Sequence, residues 1–204
     1  MGRMQQSVLE PTMLVRPPSR IRQLTFVGLG LCVAALLAGL ATVLVQVNMP
    51  GLGAPFIPTP EEGHIAEGTV VTLAEGDVPA IARLDPALLD ALRRAETDAV
   101  ATGAPAFQVT SGWRSEGYQR WLFDDAVERY ASEEIARQFV ATPETSSHVT
   151  GDAVDIVPLD AQLWLIEQGA QYGLCQIYAN ERWHFELATQ PGGACPQMKT
   201  NAAG

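Results

Sequence analysis

The chain has 204 residues, three cysteines and a formal net charge of −10. Before residue 48 four arginines (Arg3, Arg16, Arg20, Arg22) face one acid, Glu10, for +3; after it nine basic residues face twenty-two acidic ones, for −13. A part so acidic repels phosphates, which argues against nucleic acid as a partner, and the roughly 140 residues beyond the apolar run suffice for one domain with a real core.

Residues 1–23 are polar, carry Pro17-Pro18 and the four arginines, and read as a disordered cytoplasmic tail. From Leu24 to Val47 the chain is almost wholly apolar and uncharged. A bilayer core of ~30 Å needs about 20 such residues in a helix, so residues 24–47 are expected to form one transmembrane anchor. Its basic flank stays inside and sends residues 48–204 out. A cleaved signal peptide is the alternative; it would have a shorter apolar run ending in small residues, not Val-Gln-Val-Asn-Met-Pro. Cys32, inside the run, faces lipid or another helix. Residues 48–66 are rich in Pro and Gly and are expected to be a stiff, extended linker, with His64 a solvated loop side chain.

Residues 67–200 form the expected domain. Asp85 caps a helix that has Pro86 at its first position, with Leu88, Leu89, Leu92, Ala95 and Ala99 at helical spacing and Gly103 closing it. Phe107–Trp113 alternates as a strand and delivers Arg114 at its end. Ser115 caps a helix over about 116–130, with Tyr118, Trp121, Leu122 and Ala126 on its buried side, and Ser132 caps a third to about 140. After a loop at 141–147 come a strand at Ala153–Val157, a helix at Asp160–Tyr172, and strands at Cys175–Tyr178 and Trp183–Leu187. Helices followed by short strands predict an α+β fold, a small antiparallel sheet with flanking helices. Cys175 and Cys195 both fall in the exported part, where an oxidising compartment permits a bridge that stabilises by roughly 3 kcal/mol. Two buried, unpaired thiols are the alternative.

His148 and Asp155 stand seven positions apart with Gly151 between them to allow a sharp turn; His184 follows, preceded three positions earlier by Glu181. Two imidazoles and a carboxylate make a zinc site with three protein ligands and an open fourth position. In the last strand His184 and Glu186 share one face and Trp183 and Phe185 the other, so core packing of the aromatic pair turns His184 towards the metal. Glu181 suits a general base for a zinc-acidified water. Glu186 competes for that role, or supports a ligand, or is a solvated strand residue. A purely structural zinc site would want a fourth protein ligand, usually Cys, and both exported cysteines stand apart from the histidines.

Ser146, His148, Gly151, Ala153 and Asp155 fit S-x-H-x-x-G-x-A-x-D at every fixed position, and Glu181, Trp183 and His184 fit E-x-W-H. Ser111 to Gln119 contains G-[YW]-R-S-x-x-x-Q. With these three motifs in order, residues 110–187 resemble the LAS metallopeptidases, and within them the D-alanyl-D-alanine carboxypeptidases of the VanY type. The resemblance implies His148, Asp155 and His184 as zinc ligands, Glu181 as catalytic acid and base, Arg114 as the oxyanion's partner, and Ser146 and Gln119 as substrate contacts. It also implies a bacterial cell-membrane setting, with a peptidoglycan stem peptide or a D-Ala-D-Ala-terminated precursor as substrate and terminal D-Ala removed. D-Ala-D-Ala dipeptidases and L-Ala-D-Glu endopeptidases share the motifs. A non-catalytic wall-binding domain would typically lack a ligand or the base, and all are present here. Asp152 departs from the small or apolar residue of many relatives; it either acts on the metal's water or substrate preference, or faces solvent.

Overall fold

The computed structural model describes residues 55–204. The expected tail, anchor and first part of the linker lie outside them, and among the described residues no helix is long and apolar enough to cross a membrane. The five strands are β1 (Val71–Thr72), β2 (Gln108–Ser111), β3 (Ala153–Val157), β4 (Leu174–Gln176) and β5 (His184–Leu187). They form one antiparallel sheet in the order β1-β2-β3-β5-β4. The helices are α1 (Pro79–Ala82), α2 (Pro86–Ala101), α3 (Glu116–Tyr130), α4 (Glu133–Ala136), α5 (Ser147–Thr150) and α6 (Leu159–Gln168).

The longest helix, α2, starts where its cap predicts: Asp85 Oδ1 accepts from the amides of Ala87 and Leu88 at 2.8 and 3.0 Å. Its apolar stripe, Leu88, Ala91, Leu92, Ala95 and Ala99, belongs to the core with Leu165 of α6 and Phe107, Val109, Val154, Ile156 and Phe185 of the sheet region. Each large side chain so buried stabilises by about 1.5–3 kcal/mol. Residues along a strand alternate between faces, so Val154 and Ile156 enter this core while Ala153, Asp155 and Val157 point to the opposite face. That second face carries the chemistry.

Several expectations need correcting. The last residues of the expected linker, 55–66, pack on the domain. Pro60–Glu62 form a 3-10 turn, Glu62 O accepts from Ser115 N at 3.0 Å, and the Glu62 carboxylate accepts from the Ser115 hydroxyl. His64 is half-buried and its Nδ1 lies 3.0 Å from the Tyr118 hydroxyl, so it is not a solvated loop residue. In α3 only Gln119 and Ala126 are buried; Trp121 is exposed and Tyr118 and Leu122 are half-buried. The expected helix 132–140 keeps regular geometry only over Glu133–Ala136 and continues as turns, and that at 160–172 ends as a 3-10 turn over Gly169–Tyr172. The expected disulfide between Cys175 and Cys195 is present and ties β4 to the segment beyond residue 190.

Gly151 joins α5 to β3 with φ +82°, and a Cβ there would lie 2.4 Å from the Arg83 carbonyl oxygen. Its own carbonyl accepts from Asp85 N at 2.9 Å. Position 151 therefore docks the metal-bearing turn onto the start of α2. Gly151→Ala is expected to destabilise the protein by about 2 kcal/mol through left-handed strain and this clash. A thermal melt would show it as a drop of roughly 4–8 °C for a domain of this size; an unchanged melt would refute the docking role.

Candidate metal centre and active site

The register sets three functional side chains in a row across the sheet. Asp155 of β3 pairs with His184 of β5 on one side and with Ser111 of β2 on the other. A bulge between Val109 and Ser111 makes the second pairing possible, since the extra residue re-aims the end of β2 towards Asp155. His148 arrives from α5 and stands beside His184, ring centroids 5.0 Å apart.

Each imidazole has one nitrogen committed outward. His148 Nδ1 lies 2.8 Å from the Gly112 carbonyl, which only accepts, so Nδ1 carries the proton and Nε2 is left with a lone pair. His184 Nε2 lies 2.9 Å from Glu186 Oε1 and donates to it, which in the neutral ring leaves Nδ1 bare. These two bare nitrogens are 3.2 Å apart, and lie 3.4 Å (His148) and 3.3 Å (His184) from Asp155 Oδ1. Asp155 Oδ1 is buried with no hydrogen-bond partner. With both rings neutral, three acceptors converge with no proton to share, a grouping that is satisfied by a proton on His184 Nδ1 or by a metal cation in its place. Tetrahedral zinc with ligand bonds of ~2.0 Å requires ligand separations of ~3.3 Å, which this triangle supplies. His148, Asp155 and His184 are the described residues grouped to hold a metal ion.

Around the triangle the charges are ordered. Burial opposes ionisation of Asp155, but the two imidazoles and Arg114 outweigh it and hold its carboxyl well below the usual range. Burial, helped by Arg114, pushes His148 down and keeps it neutral. Burial also works against His184⁺, yet hydrogen bonds to Asp155 and Glu186 raise it to about 9, so without a metal Nδ1 takes up the proton that a metal ion displaces. For Glu186, burial is outweighed by hydrogen bonds from His184 and Ser147, so it stays ionised behind the imidazole it orients. Glu186 thus stands on the far side of the His184 ring from the bare Nδ1, and supports a ligand. Glu181 Oε2 is 3.8 Å from that Nδ1. Burial, with Asp155 adding to it, pushes the Glu181 carboxyl up against the pull of His184 and Arg114, which makes it a stronger base when ionised.

Arg114 is held on three sides. Its Nε donates to Ser111 Oγ at 2.7 Å, Nη1 to Gln119 Oε1 at 3.0 Å and Nη2 to Asp155 Oδ2 at 3.1 Å. Of the five guanidinium N–H groups this leaves two for a substrate oxygen. All seven residues expected at the site, Arg114, Gln119, Ser146, His148, Asp155, Glu181 and His184, line one cleft of about 170 Å³. The structure gives Gln119 a different task from substrate contact. It is 1 % exposed, and while its Oε1 holds Arg114, its Nε2 donates to Ala141 O at 2.7 Å. Ser146 is buried at the cleft wall with no cap hydrogen bond from its hydroxyl. Trp183 is 42 % exposed and lines the cleft, not the core; Phe185 alone anchors that face of β5. Asp152 is exposed, accepts from Thr150 Oγ1 at 2.5 Å and is no part of the metal group. Ser111 and the Gly112 carbonyl lay inside a recognised motif without a role of their own. Tyr178, whose ring stands 4.9 Å from that of His184, had no signal in the sequence.

Zinc binding must displace the Nδ1 proton of His184, so affinity is expected to fall about tenfold per pH unit as pH drops below about 9. Calorimetric titration of zinc between pH 6 and 8 would measure this, and a flat profile would contradict it. Glu186→Gln is expected to weaken zinc binding by ~10–100-fold in the same titration, because the imidazole loses its orienting carboxylate.

The family model described as VanY, D-alanyl-D-alanine carboxypeptidase, matches residues 82–190, more than half of the chain. Curated protein sequences yielded no match. Among solved structures, the chain is similar to a mutant of the vancomycin resistance D,D-pentapeptidase VanY from the VanB-type resistance cassette in complex with Zn(II). The two share 24 % identity over 68 % of this chain and 87 % of that one, with a TM-score of 0.49. VanYB in complex with D-alanine-D-alanine is similar at 23 % identity over 66 % of this chain and 80 % of that one, TM-score 0.48. The LdcB LD-carboxypeptidase matches at 25 % identity over 53 % of this chain and 60 % of that one, TM-score 0.46. By its family match, which spans the whole metal centre with Arg114 and Glu181, the chain belongs to the VanY family of D-alanyl-D-alanine carboxypeptidases.

Proposed function

We propose that the protein is a zinc-dependent D,D-carboxypeptidase that removes the terminal D-Ala from peptidoglycan stem peptides or their precursors. In this reading, residues 24–47 anchor it in the bacterial cell membrane with the catalytic domain outside. The observation that carries the reading is the convergence of two bare imidazole nitrogens and an orphaned carboxylate oxygen beside Glu181 and Arg114 in one cleft. Zinc held by His148, Asp155 and His184 would supply a Lewis acid for the scissile carbonyl and acidify a water.

The chain's own residues divide the remaining work. Glu181, its carboxyl raised by burial, takes the proton of the attacking water and returns it to the leaving amine. Arg114, fixed by Ser111, Gln119 and Asp155, offers its two free N–H groups to the developing oxyanion at no cost of reorganisation. Ser146 and Trp183 contact the peptide at the cleft wall.

The test is release of D-Ala from a pentapeptide ending in D-Ala-D-Ala by the zinc-loaded full chain. Glu181→Gln is expected to lower kcat by ~10²–10⁴-fold while zinc remains bound, and Arg114→Ala by ~10²–10³-fold. Release of the dipeptide, or cleavage between L-Ala and D-Glu, would replace the proposed specificity with a different one. A zinc-bound protein that leaves the peptide intact would make it a wall-binding domain. Deleting residues 24–47 is expected to shift the protein from the membrane to the soluble fraction, and a full chain already soluble would refute the anchor.

A further inference from the structure

The family match ends at residue 190, yet the active-site cleft does not. Ala202 lines it, and with Ala141 and Tyr178 it also lines an adjoining cleft of about 180 Å³ that includes Arg137, Thr142 and Lys199. The segment beyond residue 190 is fastened there at two points. The Cys175–Cys195 disulfide ties it to β4, and Lys199 pairs with the chain after β4, its N donating to Ile177 O and its O accepting from Ala179 N, both at 2.9 Å. Its side chain lies over the Tyr178 ring, Nζ 5.7 Å from the centroid.

Lys199 is the one lysine of the chain, and among the described residues no carboxylate pairs with it. A cation left unpaired in a domain with so large an excess of acids stands out. Arg137 beside it is bonded to Glu133 in an exposed ion pair, a contact readily exchanged for a better anion. Tyr178 neighbours both: its ring centroid is 4.9 Å from that of His184 and 5.7 Å from Lys199 Nζ. These two distances place the Lys199 amino group no further than about three extended residues, at ~3.4 Å each, from the His184 ring.

We propose that Lys199, with Arg137, forms a subsite for a carboxylate of the peptide substrate, installed by a disulfide-fastened segment outside the family domain. The proposal rests on the peptidase reading above. Because Lys199 and Arg137 line the adjoining cleft and not that of the metal group, the subsite suits a carboxylate further along the stem, such as that of its glutamyl residue, better than the terminal one, which lies a single residue from the scissile carbonyl.

Two pentapeptides ending in D-Ala-D-Ala decide it, one with the glutamyl carboxylate free and one with it amidated. Lys199→Ala is expected to raise KM about tenfold for the free peptide with kcat unchanged, to leave KM for the amidated peptide unchanged, and to be rescued by Lys199→Arg. An equal rise for both peptides would support the subsite and identify the terminal carboxylate as its ligand. Unchanged KM for both would overturn the proposal. If the unmodified protein releases no D-Ala, the functional reading fails. The subsite is then judged by calorimetry of the same peptides on zinc-loaded Glu181→Gln with and without Lys199→Ala, where equal affinities would overturn it.

Discussion

The structure depends on a deliberate electrostatic deficit. With both imidazoles neutral, Asp155 Oδ1, His148 Nε2 and His184 Nδ1 are buried acceptors aimed at one point and short of a donor. A fold tolerates such an arrangement only where other contacts enforce it. Here the Gly112 carbonyl fixes one imidazole, Glu186 the other and Arg114 the carboxylate. Each supporting group in turn sits on an element locked to the core: Gly112 is pressed against the Ala80 carbonyl, and Glu186 stands in β5 next to the fully buried Phe185.

The chemistry and the scaffold use opposite faces of the same strands. Val154, Ile156 and Phe185 hold the sheet against α2 and α6, while Asp155 and His184 emerge on the other side with a separation set by the ladder itself. Site precision is then inherited from backbone hydrogen bonding in a central strand pair, the least deformable part of a small sheet. The left-handed Gly151 adds His148 to this frame by letting the chain pass within contact distance of Arg83.

Much of this was legible in the residues. The strand at Ala153–Val157 carries the boundaries its five-residue run implies, and α2 and α3 begin at the capping residues Asp85 and Ser115. Local chemistry of this kind acts within a few positions and so can be read from one sequence. What escaped reading was decided by partners distant in the chain. Strand alternation assigns Trp183 to the core, but the core ends at Phe185 and the side chain turns to the cleft. The Pro-rich stretch before His64 reads as a free spacer, yet its turn finds Ser115 more than fifty positions away. Gln119 has the chemistry of a substrate contact, and only the positions of Arg114 and Ala141 show that both ends of its amide are occupied.

Asp155 presents one oxygen to the metal point and the other to Arg114, so a single carboxylate is shared between two cations. Its negative charge is divided: density drawn towards the guanidinium would be unavailable to an ion held at Oδ1, which would be left more electron-poor than by a carboxylate of its own. The hold on a metal ion and the Arg114 ion pair therefore draw on one carboxylate, so strengthening one would weaken the other. Any reactivity at such a centre would then depend on how that charge is divided, besides on which residues ligate it.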